Sequence, residues 1–479
     1  MSPAPIVLKS LLAFLLLTSV FRSAVAQVMF PLRVSDDRRY LVDQRGKPFP
    51  IMGRTAWFII SQPEEGYKKF IENTLLHGHN AIEFAAITHW PMGNNAPFNG
   101  EGAIPFVKSL NGMPWDGRLK YDSIQVQAPD LTTPNEKYWQ YLDKFLEYCE
   151  ERGLLVFMFP AYLGYEGQEQ GWMKELVANG PEKTRAYGAW VAERYKQRKN
   201  IVWMLLGDMG EFNEEQRIAE QALIDGLKSV KGQQSALYTA ESHSGQNAAD
   251  NPYFGHEMTL NGVYTWTLSV PVPYLGRKAY AHEPTVPAFL LEEPYDEEGP
   301  DGNNYNPNAT QPVRRFQWWG WLTTIGGYIS GNGYVWQFVD PIWQQHLETQ
   351  GAQDMTRLNL FIQSLEWWKL VPGGLDGMQD IIAAPANIDT TATFVSAAAA
   401  RDGSFLVAYL PPAHEGKVKV DLTVLSKPGY AYWFDPTDAR YVPVESSPIS
   451  NKRIQEFVTP GKNSVGEGDW VLLVTTRRK

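Results

Sequence analysis

Cysteine is nearly absent from this chain: Cys149 is the single one in 479 residues. One thiol excludes a disulfide framework and a cysteine-ligated zinc site. Its setting in "YLDKFLEYCEERG" reads as a helix with a buried, inert thiol. A positive charge excess is absent too, with 43 Lys and Arg against 53 Asp and Glu and a net charge of −10. That balance, with no basic cluster, argues against nucleic acid and anionic membranes as partners. No G-x-S-x-G elbow, P-loop or dinucleotide fingerprint occurs in proper context, so no cofactor is expected. Internal repeats and low-complexity tracts are also missing.

Long apolar runs are lacking except near the start, "MSPAPIVLKSLLAFLLLTSVFRSAVAQ". Here Lys9 precedes an apolar stretch from Leu11 to Val20 and the small-x-small triplet Ala24-Val25-Ala26. The pattern reads as a secretory signal peptide over 1–26, cleaved after Ala26, and its apolar part is too short for a membrane anchor. A secreted or periplasmic product without membrane insertion is expected. No cysteine follows Ala26, so anchoring through a lipidated N-terminal cysteine is not expected.

What is present in quantity is apolar and aromatic: 44% apolar residues and 17 tryptophans. A large core follows, and surplus aromatics in an acidic protein also suit stacking on the apolar C–H faces of sugar rings. Past the hairpin signal at Gln44-Arg45-Gly46, apolar runs alternate with amphipathic segments. "NAIEFAAI", "LLVFMFPAYL", "IVWMLLGD", "SALYTAES", "GVYTWT", "VPAFLLEE" and "YISGNGYVWQF" read as strands. "KYWQYLDKFLEYCEERG", "PEKTRAYGAWVAERYKQRK", "EEQRIAEQALIDGLKSVK", "PVRRFQWWGWLTTIGG" and "DMTRLNLFIQSLEWWKLVP" read as helices. Continuous apolar strands separated by helices imply a parallel sheet, and about eight such units predict an α/β fold, a (β/α)8 TIM barrel, over 27–382. From about Ala383 short alternating strands without helices, such as "KVKVDLTVL" and "DWVLLVTT", predict a small all-β sandwich over 383–479.

In such a barrel functional side chains stand at the C-terminal ends of strands. The fourth strand ends in Asp208 behind Gly207, and the seventh ends in Glu292 and Glu293. Strands four and seven face each other across the mouth, an arrangement that lets two carboxyls flank one glycosidic bond. A strand-end acid can equally cap a helix or face solvent. His89 and His243, just beyond strands two and five, suit hydrogen bonds to sugar hydroxyls, or are solvated loop residues. His77 and His79 precede their strand and so lie on the opposite face; no metal site is expected.

At this point "RYLVDQRGKPFPIMGRTAW", "NAIEF", "WMLLGD", "FLLEEPYDE", "GYVWQF", "WFDPTDARY" and "GEGDWVLLV" together resemble the DUF4038 barrel family. The tail of that family is labelled collagen-binding, and its enzymatic branch is glycoside hydrolase family 140, apiosidases acting on pectin side chains. The resemblance implies a secreted, retaining glycoside hydrolase acting on an oligo- or polysaccharide of plant wall or microbial origin. It maps the acid/base aspartate of a G-G-D strand end onto Asp208, with Leu206 in place of the first glycine. It maps the nucleophile of an E-x-x-Y-[DE] pattern onto Glu292, or onto Glu293 if the Glu-Pro pair is the anchor. Tyr295 then hydrogen-bonds the nucleophile, and Trp57, Trp266 and Trp336 shape a sugar pocket or pack as core. Arg54 stands where the family often has aspartate; at a barrel mouth that inverts the charge and favours a carboxylated substrate. The alternatives are a non-catalytic carbohydrate- or matrix-binding barrel and a polysaccharide lyase. Oligomeric state is not legible.

Overall fold

The computed structural model describes residues 28–89, 95–119, 127–168, 170–266, 271–298, 310–444 and 448–478. The leader-like segment 1–26 lies outside them, as do parts of the two long loops. A three-stranded antiparallel ribbon built on the expected hairpin (Arg33–Val34, Leu41–Val42, Pro48–Phe49) leads into the barrel.

Eight strands follow: β1 (Ile51–Thr55), β2 (Ala81–Ala85), β3 (Leu155–Phe159), β4 (Ile201–Leu206), β5 (Leu237–Glu241), β6 (Asn261–Tyr264), β7 (Ala288–Glu292) and β8 (Ile325–Ser330). They form one parallel sheet in the order β5-β4-β3-β2-β1-β8-β7-β6. Only between β5 and β6 is the ladder unformed, and there Leu260 N still donates to Tyr238 O at 3.0 Å. The sheet is thus a nearly closed (β/α)8 barrel. Its strands are buried along almost their whole length, the reason they read as unbroken apolar runs.

Helices α1 (Glu64–Leu76), α2 (Glu136–Glu151), α3 (Met173–Tyr195), α4 (Glu214–Ser229), α5 (Val272–Tyr280), α6 (Thr310–Thr324) and α7 (Gln350–Gln363) wrap the barrel. Between β5 and β6 the described chain makes only short 3-10 turns. Local chemistry sets several starts: Asn213 and Gln216 form a reciprocal capping box on α4, and Asn135 and Thr349 cap α2 and α7. Two sequence expectations shift. The helix expected from Pro181 begins at Met173 and breaks at Gly180 (φ 72°), because Pro181 has no N–H to continue the ladder. The strand expected to run to Phe338 stops at Ser330, because Asn332 O accepts from both Val335 N and Trp336 N and turns the chain.

The C-terminal region is an all-β sandwich. One sheet has the order β9-β11-β12-β17-β14-β15 and the other β10-β13-β16, where β9 is Leu370–Pro372, β10 Ile382–Ala384, β11 Ser396–Ala400, β12 Phe405–Leu410, β13 Lys417–Asp421, β14 Tyr430–Phe434, β15 Tyr441–Pro443, β16 Ile454–Val458 and β17 Trp470–Thr475. Strand β9 lies ahead of residue 383, so the sheet borrows three residues from the barrel's end. One face of the larger sheet packs on the barrel: Trp318 of α6 stacks on Tyr409 of β12 at 5.8 Å and meets Phe361 of α7.

A buried ion pair runs through the same junction. Arg314 of α6 donates from Nε and Nη2 to both oxygens of Asp469 (2.7 and 2.9 Å) and from Nη1 to Asp354 of α7 at 2.6 Å. All three side chains are almost fully buried. Deleting one partner strands the others without water, which costs about 3–5 kcal/mol. Arg314→Leu is therefore expected to lower unfolding free energy by about that amount in a denaturant titration; a loss under about 1 kcal/mol contradicts this account of the junction.

Candidate active site

The site is assembled at the C-terminal ends of the strands. At the end of β4 the residues Leu206, Gly207 and Asp208 have φ of 67°, 108° and 53°. Such a run costs about 1–3 kcal/mol per non-glycine residue and persists only where neighbours hold it. Leu206 N donates to Glu220 of α4 at 3.2 Å, Gly207 N to Glu241 O at 2.9 Å, and Glu166 N to Asp208 O at 3.1 Å. A Cβ on Gly207 would collide with the Tyr162 ring, so only glycine fits there. Leu206, where the resembled family has glycine, adopts a backbone conformation natural to glycine. The turn presents Asp208 to the barrel mouth, where the hydroxyls of Tyr162 and Tyr264 donate to it. Burial raises its pKa above the ordinary aspartate value, against those two hydrogen bonds.

At the end of β7 the sheet register shifts between Leu290 and Glu292. Below the shift Phe289 points inward, its ring 5.4 Å from Phe157 across the barrel, and Leu290 points outward against Gly320 of α6. Strict alternation would then turn Glu292 outward and Glu293 inward. The irregularity reverses that. Glu292 faces the mouth and accepts from the Tyr295 hydroxyl, whose oxygen accepts from Trp57 Nε1 at 2.8 Å. Glu293 faces outward and accepts from Gln317 of α6. A Cβ on Gly331 would strike the Tyr295 ring, so glycine there lets the tyrosine approach.

Both Asp208 and Glu292 line one cavity of about 430 Å³. Aromatic rings form most of its wall, among them Trp57, Tyr162, Trp172, Tyr264, Trp266 and Trp336. Glu241, Glu298, His89, Thr88 and Gln170 complete the polar part, and no Lys or Arg occurs among the described lining residues. Burial first, and the charge of Asp208 with it, push the Glu292 carboxyl up to about 8, against hydrogen bonds from Glu241 and Trp57. Glu83 of β2 lies inside the barrel, where burial and the charge of Glu292 drive it well above the ordinary glutamate value. His89 meets Glu175 at 3.2 Å and sets its ring edge-on to Trp172.

Of the residues expected at the site, Asp208, Glu292, Tyr295, Trp57, Trp266, Trp336 and His89 come together at this cavity. Three do not line it. Arg54 shares the outward face of β1 with Met52; it donates to Asn73 at 2.6 Å and lies over the Phe70 ring, both on α1. It therefore places no positive charge at the mouth, and the expectation of a carboxylated substrate loses its basis. Glu293 is turned away by the register shift. His243 is paired with Glu166 at 3.2 Å, near Asp208 but not on the cavity wall. His77 and His79 bond Thr356 and Met52 O outside the cavity. Among the described residues no cluster of three His, Cys, Asp or Glu could hold a metal ion.

Sequence reasoning passed over Glu241, Tyr162, Tyr264 and Glu298. Glu241 carried the same mark as Asp208, an acid closing an apolar run in "LYTAES". Tyr162 and Tyr264 carry no such mark, since tyrosines after strands are common core residues.

These buried acids have a stability consequence. The folded pKa of Glu220 is about 8 and that of Asp296 about 7, above the free values of 4.5 and 3.8. Each contribution is complete below the free value and lost as pH rises through the folded one. The melting temperature is expected to fall between about pH 5 and about pH 9 in calorimetry; a flat or rising trend contradicts neutral burial of these groups.

An eight-stranded α/β barrel whose mouth gathers carboxyls from facing strands in an aromatic cavity defines a class, the barrel glycoside hydrolases. The chain belongs to the apiosidase-like family of these enzymes: "Apiosidase-like, catalytic domain" matches residues 35–369. The tail, residues 379–475, matches "Putative collagen-binding domain of a collagenase". A solved glycoside hydrolase shares 19% identity at a TM-score of 0.72, over 95% of this chain and 99% of its own. A family 5 glycoside hydrolase from Bacteroides vulgatus also shares 19% identity and a TM-score of 0.72, over 93% of each chain. At that identity the likeness is one of fold. No curated protein sequence matches the chain. No helix among the described residues is long and apolar enough to cross a membrane.

Proposed function

We propose that this glycoside hydrolase is an exported, retaining enzyme that cleaves a glycosidic bond in a plant-wall or microbial polysaccharide. Asp208 serves as general acid/base and Glu292 as nucleophile. The observation that carries this reading is that the two carboxyls, from facing strands, share one cavity and interact electrostatically. In the first step Asp208 protonates the departing oxygen while Glu292 attacks the anomeric carbon; in the second Asp208 takes a proton from a water whose oxygen attacks that carbon and breaks the ester to Glu292, which releases the sugar. The pair must therefore begin with a proton on Asp208 and a charge on Glu292. Donors to Glu292 favour its anion: the Tyr295 hydroxyl, Trp57 Nε1 and the Glu241 carboxyl. Because burial lifts both acids, the pair titrates jointly, and the acid limb of kcat/KM is expected well above pH 4.5, the free glutamate value. A limb at or below that value contradicts the buried pair.

Export rests on the leader-like segment 1–26, and N-terminal sequencing of material secreted by the native host tests it. The sugar in the reacting subsite is neutral: no Lys or Arg occurs among the described residues of the wall to pair with the carboxylate of a uronate, and the charge on Glu292 would repel it. Apiose, implied by the family, fits this requirement. Paired assays of a neutral glycoside and its uronate counterpart should favour the neutral one; a preference for the uronate overturns the assignment.

Glu292→Gln should lower kcat/KM by about a thousandfold or more, because a covalent catalyst is lost. Glu293→Gln, hydrogen-bonded to α6 outside the cavity, should stay within about tenfold of wild type. The opposite ranking would move the nucleophile to Glu293, and full activity in both variants would remove this strand end from the mechanism.

A further inference from the structure

The cavity contains a carboxyl that the two-acid reaction does not use. Glu241 closes β5, is 1% exposed and lines the cavity beside Asp208 and Glu292. Its backbone is fixed: it pairs with Leu206 in the β4–β5 ladder, and its carbonyl receives Gly207 N. The titratable groups around its side chain are Glu292 from β7, Asp208 from β4 and Glu83 from β2, together with the hydroxyls of Tyr162 and Tyr264. None is a cation. Its carboxyl is hydrogen-bonded to that of Glu292, and its Oε2 has no partner.

Two carboxyls can be joined by a hydrogen bond only if one keeps its proton. The two differ in their other partners. Glu292 also accepts from the Tyr295 hydroxyl, so an anion there is supported. The buried Oε2 of Glu241 has no donor, and the charged neighbours of the carboxyl are acids, so an anion there would be poorly supported. We propose that Glu241 is a third active-site carboxyl, kept as the neutral acid, which donates a hydrogen bond to Glu292 and so positions the nucleophile and favours its anion. Burial, followed by the charges of Glu292 and Asp208, acts in the same direction on Glu241. The proton stays on Glu241 through the cycle. Its hydrogen bond is strongest to free Glu292 and weakens when that oxygen becomes an ester, so it assists departure of the nucleophile in the second step. The inference rests on Glu292 as nucleophile.

The test compares Glu241→Gln and Glu241→Ala in the full chain, using whichever neutral aryl glycoside wild type cleaves best. Glutamine keeps a neutral donor, so Glu241→Gln should hold kcat/KM within about tenfold with its acid limb unmoved. Alanine removes the donor, so Glu241→Ala should lose about a hundredfold and its acid limb should move to higher pH, as the Glu292 anion is less supported. An ionised Glu241 would produce the reverse sign, with the acid limb moving down in both variants, and that overturns the proposal. An unmoved limb in Glu241→Ala reduces Glu241 to packing and overturns it equally. Infrared difference spectra of wild type minus Glu241→Gln at neutral pH give a readout independent of turnover. The carbonyl band of a protonated carboxyl should be present in wild type and lost in the variant; its absence in active wild-type enzyme sinks the proposal alone. The band without hydrolysis of any glycoside supports a neutral Glu241 and counts against the hydrolase reading instead.

Discussion

A carboxylate taken out of water must be met by donors or stay protonated, and that constraint organises the barrel mouth. Asp208, Glu241 and Glu292 are carried there by three strands, with Glu83 below them. No Lys or Arg lines the cavity among its described residues to neutralise them. The compensation comes from neutral donors: Tyr162 and Tyr264 on Asp208, and Tyr295, backed by Trp57, on Glu292. Such donors hold a carboxylate without fixing its charge as a cation would, which leaves the acids able to exchange protons. The aromatic bodies of the same side chains exclude water and offer flat faces to a sugar.

The geometry that points these acids inward is irregular in two places. At β4 three successive residues of positive φ turn Asp208 into the mouth, held by Glu220, Glu241 and Glu166. At β7 the register shift reverses the facing of Glu292 and Glu293. Backbone strain and a bulge thus coincide with the proposed acid/base and nucleophile, as is expected where function outweighs local regularity. Helix α6 links this region to the rest of the molecule. Gln317 on it donates to Glu293 behind β7, and Arg314 and Trp318, about one turn apart, bind the sandwich. The C-terminal domain therefore braces the helix that backs β7.

Much of this was legible because buried parallel strands leave a plain sequence mark. The runs ending at Asp208 and at Glu292-Glu293 marked strands four and seven, and "KVKVD" alternates as its exposed and buried positions do. The choice between Glu292 and Glu293 was not legible, since it depends on a register shift that no residue type announces. Arg54 differs for a related reason: the family motif it replaces implies the mouth, while alternation along "IMGRT" puts it with Met52 on the outer face. Glu241 carries the same strand-end mark as Asp208, but it stands on β5, between the facing strands β4 and β7 whose acids form the expected pair. The three-residue strand β9 is too short to show a period, so the sandwich's first strand lay hidden at the end of the barrel.

The central claim is that Glu292, and not its neighbour, forms a covalent bond to the sugar. The most direct measurement is to trap that intermediate with an activated 2-deoxy-2-fluoro glycoside of a neutral sugar and locate the added mass by peptide fragmentation. The account predicts one glycosyl ester, on the carboxyl of Glu292. An adduct on Glu293 or Asp208, or a product released with inverted anomeric configuration and no adduct, would contradict it.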